Sequence, residues 1–169
     1  MLRYCSWTTW FGHSAGAGPG IGDGGGVGRS GELAGHRAYE SHQAQEQRRL
    51  FLQVGRQGAL NLTTISYTEA QADVQRILDS ATGSFYDDFQ KRSPAFIETV
   101  MQAQSKSEGT VTEAGLDSEE GTQGQVLVAV TVKTSTAGAA EPQPRAWRLR
   151  IGVQLVGDGA KVSNVEFVS

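Results

Sequence analysis

With 169 residues, of which 38% are apolar and 20% charged, the chain is long enough for one domain with a sizeable core. A net charge of −3 argues against a general nucleic-acid binder, and the single cysteine, Cys5, rules out an intrachain disulfide. No window holds the ~18 consecutive apolar residues of a membrane span, and glycines and polar residues interrupt any apolar run behind Arg3 that a signal peptide requires.

Residues 1–35 hold 11 of the 22 glycines, together with Trp7, Trp10 and Phe11. Ordering glycine costs the most backbone entropy, and this stretch has few side chains to offset it, so the segment is expected to be disordered. Gly20 to Gly25 fits G-x-G-x-x-G, but a dinucleotide loop needs a strand before it and a helix after it; Gly26, Gly28, Gly31 and Gly35 break any such helix.

Residues 36–67 read as a helix and a connection. Glu, Gln, Arg, Ala and Leu dominate its first part, and Phe51, Val54, Gly58, Leu62 and Ile65 recur three or four apart as one apolar stripe. Gly55 and Gly58 either weaken this helix or let another element approach it closely. Arg48, Arg49 and Arg56 fall off the stripe, on a solvated face or facing an anionic surface.

The third segment, 68–169, is expected to be an α+β domain. Thr68 is the expected N-cap of a helix whose inward face is Ala70, Val74, Ile77 and Leu78. Gly83 interrupts the helical run and is expected at positive φ. Phe85 and Phe89 share a face. Ser93-Pro94 is expected to start a further helix, with Phe96, Ile97, Val100 and Met101 on its apolar side.

From Ser105 the period becomes two. Thr110 to Leu116 is a modest strand. Val126, Val128, Val130 and Val132 alternate with more polar neighbours, as do Trp147, Leu149, Ile151 and Val153. Ala137 to Pro144 is a loop, Gly157-Asp158-Gly159 a tight turn, and Lys161 to Val168 the returning strand. The expected fold is therefore α+β, with N-terminal helices packed on a curved four-stranded antiparallel sheet in a cone, and with Trp147 buried.

The search for chemistry returns no catalytic, cofactor-binding or metal-binding residue. His13, His36 and His42 all precede the predicted core and lack metal-ligand spacing. Asp87 and Asp88 are adjacent and point about 100° apart on a helix, which does not suit an acid/base pair. Glu113, Asp117, Glu119 and Glu120 read as a solvated acidic loop. There is no G-x-S-x-G elbow, and the inward strand positions are Val, Leu, Ile and Trp, which make a dry core.

Asn61-Leu62-Thr63-Thr64-Ile65, Ala81-Thr82-Gly83-Ser84-Phe85 with Asp88-Phe89, Gly109-Thr110-Val111, Val126 to Val130, Arg145 to Arg150, and Val162 to Val168 with Glu166-Phe167 occur in an order that resembles the Mce-associated membrane proteins of actinobacteria. The resemblance covers about residues 37–168. It implies an extracytoplasmic SnoaL-like (cystatin-like) cone behind one transmembrane helix, at the outer face of the cell membrane. It further implies a non-enzymatic accessory role in an Mce-type lipid-import system, with the Mce transporter proteins as partners and no cofactor. Thr82, Gly83, Phe85, Asp88, Phe89, Glu166 and Phe167 are then structural motif residues. Arg37, Arg48 and Arg49 are then membrane-proximal, beside an anionic lipid surface. A carrier holding a lipid or sterol in the cone, or a small cone-fold isomerase or dehydratase, are the alternative readings. Where the family places its membrane helix this chain has Gly16 to Gly35, which cannot span hydrocarbon; a misassigned start or a soluble variant would each account for that departure.

Overall fold

The computed structural model describes residues 32–138 and 143–168, with side chains from Ser41 onward. It divides into two units, the first reaching Gln47 and the second running from Arg48 to Ser169. Three helices precede a meander: α1 Glu32–Thr63, β1 Ile65–Ser66, α2 Ala70–Asp79, α3 Gly83–Gln102, β2 Lys106–Glu120, β3 Gln123–Ser135, β4 Arg145–Val156 and β5 Gly159–Val168. The sheet has five strands in the order β1-β2-β3-β4-β5, with every neighbouring pair antiparallel. The expected loop at Ala137 to Pro144 falls between β3 and β4, its residues 139–142 outside the described set.

Five strands replace the expected four because Ile65 leaves the helical stripe. Thr64 N–H still donates to Leu60 O at 2.9 Å, and one residue later Ile65 and Ser66 turn into the sheet opposite Ser107 and Lys106. Ile65 is fully buried there, so its β-branched side chain packs at the sheet edge while the stripe it would have continued ends at Leu62.

The core lies on one face of β3 and β4. Val126, Val128 and Val130 face Ile151, Leu149 and Trp147 across the ladder, and all but Trp147 are at most 1% exposed. The second half of α1 covers this face at unusually short range. A Cβ on Gly55 would meet Cβ of Val126 at 2.7 Å, and one on Gly58 would meet Cγ2 of Val162 at 2.7 Å. Both glycines are therefore close-approach positions: the helix settles into the sheet at sites where any side chain would hold it off. Phe51 fills the space above Gly124 and is itself fully buried.

The α2 helix buries Ala70, Val74, Ile77 and Leu78 as its spacing predicts, but Thr68 does not cap it. Glu69 holds the cap position without a side-chain bond, and the Thr68 hydroxyl lies 2.8 Å from that of Ser66. The buried carboxylate of Asp73 organises this turn instead: its Oδ2 accepts Ser66 N–H at 2.8 Å and its Oδ1 accepts Arg76 Nη2 at 2.8 Å.

Ser93-Pro94 starts no new helix; α3 runs through both residues. Proline lacks the N–H that Gln90 O would accept, and the Ser93 hydroxyl supplies the missing donor at 2.8 Å. Phe85, Phe89, Phe96 and Val100 are buried along α3, with ring centroids 5.9 Å apart for Phe85–Phe89 and 6.3 Å for Phe89–Phe96. Met101, expected on the same side, is 54% exposed.

The β2 strand is longer than expected and absorbs the predicted acidic loop: Glu113, Asp117, Glu119 and Glu120 all belong to it. Register shifts at Val111/Glu113 and Leu116/Ser118 break its alternation, and each bulge bends the strand. Residues 32–35, expected to be disordered, lie in the first turns of α1; the rest of that prediction, including Gly20 to Gly25, falls outside the described residues. Trp147 is only half-buried and stands edge-on to Phe167, with centroids 5.6 Å apart.

Candidate functional site

The motif residues that carry the resemblance gather at two places. At the first, the chain between α2 and α3 is pinned to β5: Thr82 N–H donates to Val162 O at 2.8 Å, and Val162 N–H donates to Ser80 O at 2.8 Å. Gly83 then turns the chain into α3 at φ +61°, the left-handed region expected from the sequence. Phe85 and Phe89 point into the core, while Asp88 is exposed on the opposite side of the helix. The second place is the end of α1. Thr63 Oγ1 donates to Ala59 O at 2.7 Å, and Thr64 Oγ1 accepts Gly109 N–H at 3.2 Å, which ties the Asn61 to Ile65 motif to the Gly109 motif of β2.

Glu166 is exposed on β5. Its Oε1 accepts Asn164 Nδ2 at 3.0 Å and its Oε2 lies 3.9 Å from Arg150 Nη1. On the other side of Arg150, Nε lies 3.7 Å from Asp117 Oδ2. Phe167 supports Trp147 through the edge contact already described. Of the predicted membrane-proximal arginines, Arg48 is committed to the domain, its Nε 2.7 Å from Glu119 Oε2. Arg49 is exposed, and Arg37 lies in α1 with its side chain outside the described set.

The sequence reading did not anticipate a cleft beside the first bulge of β2. It is an open groove of about 530 Å³, lined by Arg56 of α1, by Thr112, Glu113, Ala114 and Gly115 of β2, by Leu127, Val128 and Ala129 of β3, and by Arg148 of β4. Thr112 is the extra residue between two ladder pairs at this bulge, and its hydroxyl donates to Ala129 O at 3.1 Å. Nothing in the linear spacing signals such a bulge.

Among the described residues, no group of three or more His, Cys, Asp or Glu is placed to hold a metal ion. His42 Nδ1 lies 3.3 Å from Glu46 Oε1 on the exposed surface of α1; His36 has its side chain outside the described set, and His13 lies outside it altogether. No described helix is long and apolar enough to cross a membrane.

Helices that pack on an antiparallel meander in this order define a fold seen in type IV secretion proteins. The chain is similar to an IcmL-like type IV secretion system protein of Legionella pneumophila, at 13% identity and a TM-score of 0.60, covering 72% of this chain and 91% of that one. It is likewise similar to the periplasmic domain of DotI (15%, TM-score 0.57, 70% and 92%) and to VirB8 of Agrobacterium tumefaciens (9%, TM-score 0.55, 73% and 92%). These likenesses are of fold.

The chain belongs to the family described as Uncharacterized protein Rv1363c/MT1408-like, whose model matches residues 26–169. It is 37% identical over 139 residues to the Mycobacterium tuberculosis protein Rv1363c, a match covering 80% of this chain and 53% of that protein. The chain thus spans about half the length of the curated relative it matches.

Proposed function

We propose that this domain is a non-enzymatic accessory component of a cell-envelope transport assembly, and that it works outside the cytoplasmic membrane through contacts with other proteins of that assembly. The observation that carries this reading is the filled interior. The sheet face on which a cone-fold enzyme or carrier holds its ligand is occupied by Phe51, Val126, Val128, Leu149, Ile151, Val153 and Val162, each at most 1% exposed. A packed apolar interior leaves the surface to carry function. The periplasmic origin of solved proteins with this fold supports the extracytoplasmic placement.

The assembly served is an Mce-type lipid importer. Support for that finer reading is the ordered set of motif residues between Asn61 and Val168 that resembles the Mce-associated proteins. In this arrangement α1 leads toward the membrane, and Arg37 and Arg49 are the basic residues left to face anionic headgroups. Arg48 is engaged with Glu119 instead. Each basic residue close to such a surface contributes about 1 kcal/mol of attraction.

Affinity purification of the tagged full-length protein from native membranes, read by mass spectrometry, tests the proposal. Enrichment of Mce transporter subunits is the expected result. Recovery of the protein alone, under conditions that keep the transporter itself intact, would defeat it.

A further inference from the structure

The outer edge of β2 is open along most of its length. On that side β2 pairs only with Ile65 and Ser66, and Thr64 Oγ1 accepts Gly109 N–H at 3.2 Å. From Thr110 to Leu116 this edge has no main-chain partner among the described residues. The backbone groups of a strand alternate sides, so Val111, like Gly109, turns its N–H and C=O outward. The side chains along the edge form two rows. On the face that packs under the helices, Val111, Ala114 and Leu116 stand opposite Val130, Val128 and Val126. Those three valines are at most 1% exposed, whereas their β2 partners are only half-buried, because the sheet ends with them. On the other face Glu108 stands opposite Lys133 and Glu113 opposite Ala129, and both carboxylates are exposed. The whole strand carries five carboxylates, on Glu108, Glu113, Asp117, Glu119 and Glu120, against one cation, Lys106. Glu119 and Asp117 have Arg48 and Arg150 within 4 Å; Glu113 forms no ion pair among the described residues.

We propose that this edge docks a short extended segment of a partner protein, which adds a strand to the sheet alongside Thr110–Leu116 and alternates apolar residues with Lys or Arg. In strand addition the main-chain bonds give affinity and the alternate side chains give specificity. The apolar side chains of the segment continue the row of Val111, Ala114 and Leu116, and its cations lie beside Glu108 and Glu113, where opposite charges on neighbouring strands attract. Charged residues and bulges on an edge guard it against self-pairing, and here the guard has one sign. A second copy of this chain would set carboxylates against carboxylates, which repel across a ladder. The edge therefore refuses its own copy and accepts a cationic strand. The bulge at Thr112 bends the edge and keeps the segment short. This inference rests on the reading of the domain as a protein-contact module and adds where the contact is made and by what chemistry.

The probe is a capped peptide of alternating Lys and Val, titrated into the full chain and followed by amide NMR and hydrogen exchange. Saturable binding is expected, with shifts concentrated at Thr110–Leu116 and slowed exchange of the Val111 amide. Three control peptides separate the contributions. One carries N-methyl groups on the amides of its bonding edge, one has the same composition with all Lys before all Val, and one replaces Lys by Glu. Each should bind about tenfold or more weakly. Glu108→Lys and Glu113→Lys should each weaken the Lys-Val peptide about threefold, and the double variant should gain binding of the Glu-Val peptide. Both positions are exposed, so unchanged melting temperatures confirm that the variants are folded. Absence of saturable binding overturns the proposal, as does equal binding of the N-methylated peptide or of the blockwise one. Protection of the Val111 amide that rises with protein concentration, without peptide, identifies a second copy as the occupant and also overturns it. Failure here, with transporter subunits still recovered by affinity purification, removes this edge as the contact and leaves the accessory reading standing; failure of both removes that reading too.

Discussion

The β3–β4 ladder and the β2 strand belong to one sheet but obey different rules. β3 alternates without interruption, so every second residue from Val126 to Val132 is buried against the helices. β2 carries two bulges, pairs on its outer side only with Ile65 and Ser66, and keeps mostly exposed or half-exposed residues. The difference separates two tasks. The regular strands hold the domain together. The irregular one shapes the surface, bulging at Thr112 and sending Glu119 back to Arg48.

If that division is right, substitutions in the ladder should be costly and substitutions at the exposed positions of β2 nearly free. The largest effect is expected at Ile151, which is fully buried beneath Gly58. Ile151→Ala should lose about 2–5 kcal/mol in chemical denaturation; a loss under about 1 kcal/mol would place the core elsewhere. Next comes Gly55→Ala. Alanine is the better helix former by about 1 kcal/mol, yet its Cβ would sit 2.7 Å from Cβ of Val126, an atom fixed to the strand backbone. Overpacking of this kind costs about 1–3 kcal/mol, so a net loss of stability is expected, and a gain would show that α1 does not rest on the sheet so closely.

Gly83→Ala isolates a backbone effect, because the added Cβ would meet nothing within 4 Å while φ stays at +61°. A loss of about 1–2 kcal/mol is expected from the left-handed conformation alone, and Asn at the same position should lose less. The smallest effect belongs to Arg48→Ala. The arginine side chain is 62% exposed, so removing its pair with Glu119 should cost no more than about 1 kcal/mol and less at high salt. A large, salt-independent loss there would mean that β2 carries stability after all.

The same contrast explains what could be read from the sequence. Strict alternation exposed β3 and β4, period-four spacing exposed the faces of α2 and α3, and a lone glycine between Leu78 and Phe85 exposed the positive φ. What stayed hidden depends on contacts distant in the chain. Pro94 reads as a helix start until the Ser93 hydroxyl is seen bonded to Gln90 O. No spacing signals that Asp73 is buried and organises the turn after β1. Ile65 fits the helical stripe until Ser107 is found opposite it. The bulge at Thr112 shifts the pattern by one residue, so the acidic run looks like a loop. The half-buried Trp147 was over-read for a related reason: alternation gives the face but not how far the covering elements extend along the strand.

The central claim, that the domain acts through its surface upon other envelope proteins, is tested most directly by photo-crosslinking in living cells. A benzophenone amino acid placed at Thr110 on β2 or at Lys91 on α3, both exposed, samples two separate surfaces of the full-length protein without disturbing its core. The account predicts light-dependent adducts to Mce transporter subunits from at least one of these positions, and none from a probe-free control. Uncrosslinked protein at both positions, and at further exposed positions across α2, α3 and β2, in cells where the transporter is abundant, would contradict it.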